Sequence, residues 1–164
     1  MTKIRRKLQQ ISLFKGFKDD PEAIGKVAQI INIKEFLKGS HIIREGDRGD
    51  EMYILSEGNV RVEKTTMHDD TYTVIKLEAG QNVFFGEMAL IDNDVRSASV
   101  MADTYCQCYI ISKEDFQKLA EEDHTIGYHV NKEIAAILSG RLRKSDQDTI
   151  TLFEALVSEI EELE

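Results

Sequence analysis

The stretch Phe85-Gly86-Glu87-Met88-Ala89-Leu90-Ile91-Asp92-Asn93-Asp94-Val95-Arg96-Ser97-Ala98-Ser99-Val100 carries the reading of this chain. It has a glycine at the end of a candidate strand, where backbone can approach a ligand closely. A short helical turn, Glu-Met-Ala-Leu-Ile, follows, and the first N–H groups of such a turn are unpaired and suit an anion. A polar loop then leads to Arg96, whose planar fork matches phosphate oxygens. Ser97 adds a hydroxyl and a backbone N–H beside it. Glu87 is an acceptor for a sugar hydroxyl, provided that it stands away from the phosphate. A carboxylate for ribose and an arginine for phosphate, nine residues apart across a loop, describe a small nucleotide of few charges. The competing reading is a structural Glu87–Arg96 ion pair in a β-protein.

On both sides of this stretch the chain reads as β. Candidate strands cover 33–37, 41–44, 51–56, 59–64, 72–77, 97–102 and 106–111. They are punctuated by Lys38-Gly39, Gly46-Asp47, Gly49-Asp50, Glu57-Gly58, Asp69-Asp70 and Ala79-Gly80. Short strands with such turns predict a β-sandwich or roll. The two strands flanking Glu57-Gly58 read as a tight hairpin.

Helical patterns lie outside this β region. Ile4, Leu8 and Ile11 form a short helical stripe. Asp20-Pro21 marks a helix start, with the aspartate capping and the proline at the first helical position. Ser112 with Asp115 predicts a further N-cap, after which Phe116 and Leu119 face inward. A long stripe then runs through Ile126, Val130, Ile134, Ile137, Leu138 and Leu142. Beyond a polar stretch, Thr149, Phe153, Leu156, Ile160 and Leu163 step by 4, 3, 4 and 3, a heptad seam about two heptads long. Such a stripe buries either on its own domain or on a partner helix, and a homodimer through this C-terminal helix is the favoured expectation.

Composition bounds the rest. The 164 residues suit one domain, and 41% hydrophobic with 31% charged residues fits a globular chain. The net charge of −9 argues against broad polyanion or anionic-membrane binding. Residues 1–18 nevertheless hold Lys3, Arg5, Arg6, Lys7, Lys15 and Lys18 with no acid, and residues 146–164 hold seven acids with no base. No apolar run reaches the roughly 20 residues of a membrane span, and no signal peptide is evident. Cys106 and Cys108 point the same way on one strand, make a poor disulfide and fit a reducing cytoplasm.

The usual catalytic patterns are missing: no phosphate loop of the type G-x-x-x-x-G-K-[ST], no G-x-G-x-x-G and no G-x-S-x-G. His41, His68, His124 and His129 lack zinc-site spacing. A cupin-like enzyme would need a histidine and carboxylate cluster on its strands, so no metal, no cofactor and no enzymatic activity are expected.

At residues 85–100 the chain resembles the phosphate-binding cassette of the cyclic-nucleotide-binding domain family, approximately F-G-E-[LIM]-A-L-x(4–5)-R-[AST]-A-[ST]-V. Phe85 to Leu90 and Arg96 to Val100 fit it without a gap. The block from Glu45 to Val62 resembles the family's glycine-and-hairpin region, and Leu13-Phe14-Lys15-Gly16-Phe17 resembles the segment after its first helix. The likeness covers roughly residues 12–143. It implies an α+β, mainly β fold: an eight-stranded β-roll, jelly-roll-like (a double-stranded β-helix), with an N-terminal helical segment and C-terminal lid helices. The divisions expected are 1–32 helical, 33–111 β-roll, 112–145 helices including the lid, and 146–164 an acidic amphipathic end-helix.

The resemblance further implies a non-enzymatic sensor signalling by lid-helix movement. Glu87 and the Gly86 backbone would hold the ribose 2′-hydroxyl and Arg96, Ser97 and Ala98 the cyclic phosphate, with Met88 and Ala89 in the same ligand site. Arg141 falls near the lid position, and apolar strand residues line the base pocket. Val95 stands where many members carry proline. Alanine at the Ser97 position goes with adenine preference in kinase regulatory domains, threonine can help guanine binding, and serine occurs in bacterial cyclic-AMP receptors. Cyclic AMP is therefore favoured over cyclic GMP. A helix-turn-helix does not fit the acidic tail, so no direct nucleic-acid partner is expected; the downstream effector is open. The alternative is a ligand-free scaffold or dimerisation domain that retains the fold, against which intact Glu87 and Arg96 argue.

Overall fold

The computed structural model describes residues 2–68 and 70–161. Its β-forming runs make eight antiparallel strands: β1 Asn32–Phe36, β2 His41–Ile43, β3 Glu51–Glu57, β4 Asn59–Thr65, β5 Thr71–Glu78, β6 Phe84–Phe85, β7 Ser99–Ala102 and β8 Cys106–Ser112. They lie in two four-stranded sheets, ordered β1-β8-β3-β6 and β2-β7-β4-β5. The arrangement is the expected jelly-roll, mainly β, and is not a closed barrel.

β3 and β8 read as nearly continuous apolar runs because both faces are covered. From β3, Met52 and Ile54 enter a layer under the helices, whereas Tyr53 and Leu55 enter the layer between the sheets. From β8, Tyr109 and Ile111 join the first layer, and Cys106, Cys108 and Ile110 the second. The period of two along each strand thus feeds two cores from one sheet. Burial pushes both thiols up, Cys108 to about 12.

The Glu57-Gly58 hairpin is a correction. β3 pairs with β8 and β6, whereas β4 pairs with β5 and β7. Gly58 (φ +90°) turns the chain from one sheet into the other, and a side chain there would strike the Tyr105 carbonyl oxygen. The hairpin that does form joins β4 to β5.

Four helices flank the sheets: α1 Lys3–Leu8, α2 Pro21–Gln29, α3 Lys113–Glu122 and α4 His124–Glu161. The expected caps are in place. Asp20 accepts from the Glu22 and Ala23 N–H groups, and Ser112 accepts from Asp115. A 3-10 turn at Ser12–Phe14 continues the buried stripe after α1. α4 runs unbroken for 38 residues, through position 146 where the sequence placed a separate end-helix. Its first part packs Ile126, Val130 and Ile134 into the helical layer. From Arg141 to Ile160 every residue is exposed. Leu163, the last position of the seam, lies outside the described residues, as does Asp69 of the Asp69-Asp70 turn.

Candidate functional site

β6 is only two residues long, and its place is set by Phe85, which stacks on Tyr53 of β3 with centroids 5.5 Å apart and planes 10° from parallel. Gly86 then adopts φ +74°, a left-handed conformation that favours glycine, and starts a 3-10 turn at Glu87–Leu90. No side chain caps this turn, and within it the Ala89 N–H donates to the Gly86 carbonyl at 3.2 Å. Glu87 is 2% exposed, the one buried charged residue among those described.

Arg96 arrives from the following loop and is held at its backbone and its tip. Its N–H donates to the Asp47 carbonyl at 2.8 Å, and its own carbonyl accepts from Gly46 at 2.9 Å. Its Nη2 donates to the Glu51 carbonyl at 2.7 Å and its Nη1 to the Gly86 carbonyl at 3.3 Å. The guanidinium lies 6.0 Å from the Tyr53 ring centroid. It also lies against Gly49: a Cβ there would fall 2.6 Å from its Nε and Nη2. Two neutral carbonyls orient the fork without neutralising it, which leaves a positive charge aimed at one place. The sequence-stated alternative, a Glu87–Arg96 ion pair, does not form; Glu87 pairs with Arg141 instead.

Beneath Arg96, the Tyr53 hydroxyl donates to Glu51 Oε2 at 2.7 Å, and Lys34 reaches Oε1 at 2.7 Å. Burial opposes ionisation of Glu51, but these two hydrogen bonds prevail and hold its carboxyl below the usual range. Burial, then the bond to Glu51, pushes the Tyr53 hydroxyl far up. Both groups are therefore fixed in single protonation states at neutral pH.

Gly86, Glu87, Met88, Ala89, Arg96, Ser97, Ala98 and Arg141 all line one cavity of about 570 Å³, within the usual range for small-molecule sites. Ser97 and Ala98 stand just before β7 begins at Ser99, outside its ladder. Val62, Ile75, Leu77 and Val83 line the same cavity. The lining thus combines cationic and donor groups with apolar side chains. Arg141 reaches in from α4, with Nη1 2.6 Å from Glu87 Oε1. The sequence reading placed Gly49 in a turn but gave it no part in the site, and left the particular apolar wall residues unnamed. Gly49 had a signal in its motif block, but its role as the seat of Arg96 depends on a contact distant in the chain. Among the described residues, no group of three or more His, Cys, Asp or Glu is arranged to hold a metal ion. No helix among them is long and apolar enough to cross a membrane.

The β-roll thus brings an uncapped turn, a seated arginine and a buried carboxylate around one cavity. The cyclic nucleotide-binding domain model matches residues 33–123, more than half of the chain, and the chain belongs to that family. It is 35% identical to human cGMP-dependent protein kinase 2 over 116 residues, which are 70% of this chain and 15% of the kinase. It therefore spans a small part of that relative's length. Among solved structures it resembles the catabolite activator protein of Thermus thermophilus, with a TM-score of 0.74 and 28% identity over 85% of this chain and 62% of that one. The regulatory domain of Toxoplasma gondii PKA, crystallised with cAMP, matches at a TM-score of 0.66 and 28% identity, over 80% of this chain and 49% of that one.

Proposed function

We propose that this domain is a non-enzymatic sensor that binds a cyclic nucleotide, cyclic AMP in preference to cyclic GMP, and signals by movement of α4. The observation that carries the reading is the polarity of the cavity. Arg96 and the N–H groups of Ser97 and Ala98 suit the cyclic phosphate, and Glu87 with the Gly86 backbone suits the ribose hydroxyl. Val62, Ile75 and Leu77 suit the base. Arg141 bridges α4 to Glu87, so a ligand that engages Glu87 alters what holds the helix. Binding then biases α4 between two positions, which requires different affinities for the two states. The exposed stripe beyond Arg141 supports pairing with a second copy, and a cytoplasmic setting suits two reduced thiols.

Cyclic GMP is the second reading, supported by the likeness to cGMP-dependent protein kinase 2. Calorimetric titration of nucleotide-stripped protein with cyclic AMP, cyclic GMP and 5′-AMP decides between them. Saturable heat with a cyclic nucleotide and weaker binding of 5′-AMP is expected. Absence of heat and of thermal shift with both cyclic nucleotides sinks the sensor reading.

A further inference from the structure

No basic side chain of the N-terminal segment lines the nucleotide cavity, yet three of them line a second one. A crevice of about 180 Å³ lies between α1 and the sheet, lined by Lys3, Arg6, Lys7, Gln10, Ser56 and Tyr109. Tyr109 is 1% exposed, and among the described residues its hydroxyl has no hydrogen-bond partner. Every wholly buried side-chain polar atom described is paired, so this hydroxyl is open to the crevice. Charge around it is unbalanced. Glu57 pairs with Lys3 at the rim, but Lys7 is held only by neutral oxygens and Arg6 forms no ion pair among the described residues.

We propose that this crevice is a second anion site, sized for one phosphate group, which Arg6, Lys7 and the Tyr109 hydroxyl would hold. All three residues line the crevice, and two carry positive charge that no carboxylate pairs among the described residues. The volume admits an oxyanion but is far below the 570 Å³ of the nucleotide cavity. Burial pulls the Lys7 ammonium below the usual lysine range, so an anion beside it compensates for poor solvation.

The site has a built-in reporter. Lys7 Nζ donates to the Ala79 carbonyl at 2.6 Å and to Asn82 Oδ1 at 3.0 Å. Asn82 also lines the nucleotide cavity. An anion that draws Lys7 toward itself therefore disturbs the turn at Ala79–Gln81 and the wall beyond it. The site itself does not depend on what fills the larger cavity.

The test is an amide-shift titration of the full chain with inorganic phosphate at constant ionic strength, in parallel with the Arg96→Ala variant so that the cassette cannot take the ion. Saturable shifts at Arg6, Lys7, Ser56 and Tyr109, extending to Ala79 and Asn82, are expected in both proteins. Arg6→Gln should raise the dissociation constant at least tenfold and Tyr109→Phe, an isosteric change, several-fold. Glycerol 3-phosphate serves as a second arm: tighter binding identifies an ester as the source, and equal binding the free ion. Shifts confined to Ser97 and Ala98 that vanish in Arg96→Ala, unsaturable shifts, or an Arg6→Gln variant that binds like wild type would each overturn the proposal.

Discussion

Arg141 Nη1 donates to Glu87 Oε1 across 2.6 Å, and this bond ties α4 to the floor of the nucleotide cavity. The two ends differ sharply. The Glu87 side chain is 2% exposed, whereas that of Arg141 is 58% exposed. A buried carboxylate without a cation is costly, while an exposed arginine loses little on release. The helix is therefore held near its middle by the carboxylate that, on the proposed reading, a ribose hydroxyl would engage.

Removing the guanidinium leaves that carboxylate buried and unpaired. Arg141→Ala is expected to cost about 1–2 kcal/mol, less than a fully buried pair because solvent reaches the arginine. In thermal unfolding this is a drop of roughly 3–6 °C. Adding Glu87→Gln to the same variant should recover most of the loss, since a neutral amide needs no cation. A double variant no more stable than Arg141→Ala would mean that the pair contributes through packing alone.

Arg96 is seated before any ligand arrives, so its seat is as testable as the residue itself. Arg96→Ala should weaken cyclic-nucleotide binding by roughly 1.5–3 kcal/mol, about 10- to 150-fold. Gly49→Ala should act on the same step, because its Cβ would fall 2.6 Å from the guanidinium and push it off the Glu51 carbonyl. A loss of roughly tenfold, or about 1.4 kcal/mol, is expected in the same calorimetric titration. Wild-type affinity in Gly49→Ala would show that the arginine binds from another pose.

Seven of the eight strands were legible in the sequence to within two residues at nearly every end, because turn residues and β-rich runs are local signals. β6 was not, since two residues carry no period; its place comes from Phe85 stacking on Tyr53. The corner at Gly58 was misread for a related reason. A glycine turn between two strands looks alike whether they pair or enter different sheets, and only distant partners decide. The cassette was legible because its donors are contiguous in sequence. Val62, Ile75 and Leu77 were not, because an apolar residue facing a cavity has the same pattern as one facing a core. The stripe beyond Leu142 shows the converse: its spacing reads as buried, yet nothing among the described residues covers it.

The thiols make the domain sensitive to alkali. Burial holds Cys108 at about 12, against about 9 when unfolded, and raises Cys106 as well. A raised acid stays protonated in the fold while the unfolded chain ionises, so stability is full below pH 9 and falls as pH rises toward 12. Cys108 steepens the decline by up to about 1.4 kcal/mol per pH unit within that window, and Cys106 acts in the same direction. A Cys106→Ala/Cys108→Ala variant should show a shallower decline of Tm across it. At pH 8 neither native thiol should react with a disulfide reagent, and both should react once the chain is unfolded. Rapid native reaction would contradict their burial between the sheets.

The end of α4 presents Phe153, Leu156 and Ile160 at 66%, 55% and 53% exposure, on a face that Leu142 and Val157 extend. At 100° per residue these side chains share one side of the helix, while Asp148, Glu154 and Glu159 fall on its two flanks. Pairing with a second copy buries the apolar face and brings acidic flanks near one another. The full chain should therefore have twice the mass of its monomer by light scattering, and the chain ending at Ser145 should be monomeric. Added salt should strengthen the dimer by screening the flanks, the opposite of what an interface built on ion pairs would do. Leu156→Glu puts a charge into the seam and should give monomer, whereas Ser158→Glu on the opposite side should not. Equal masses for the full and shortened chains would remove the pairing proposal and leave the exposed stripe for a different partner.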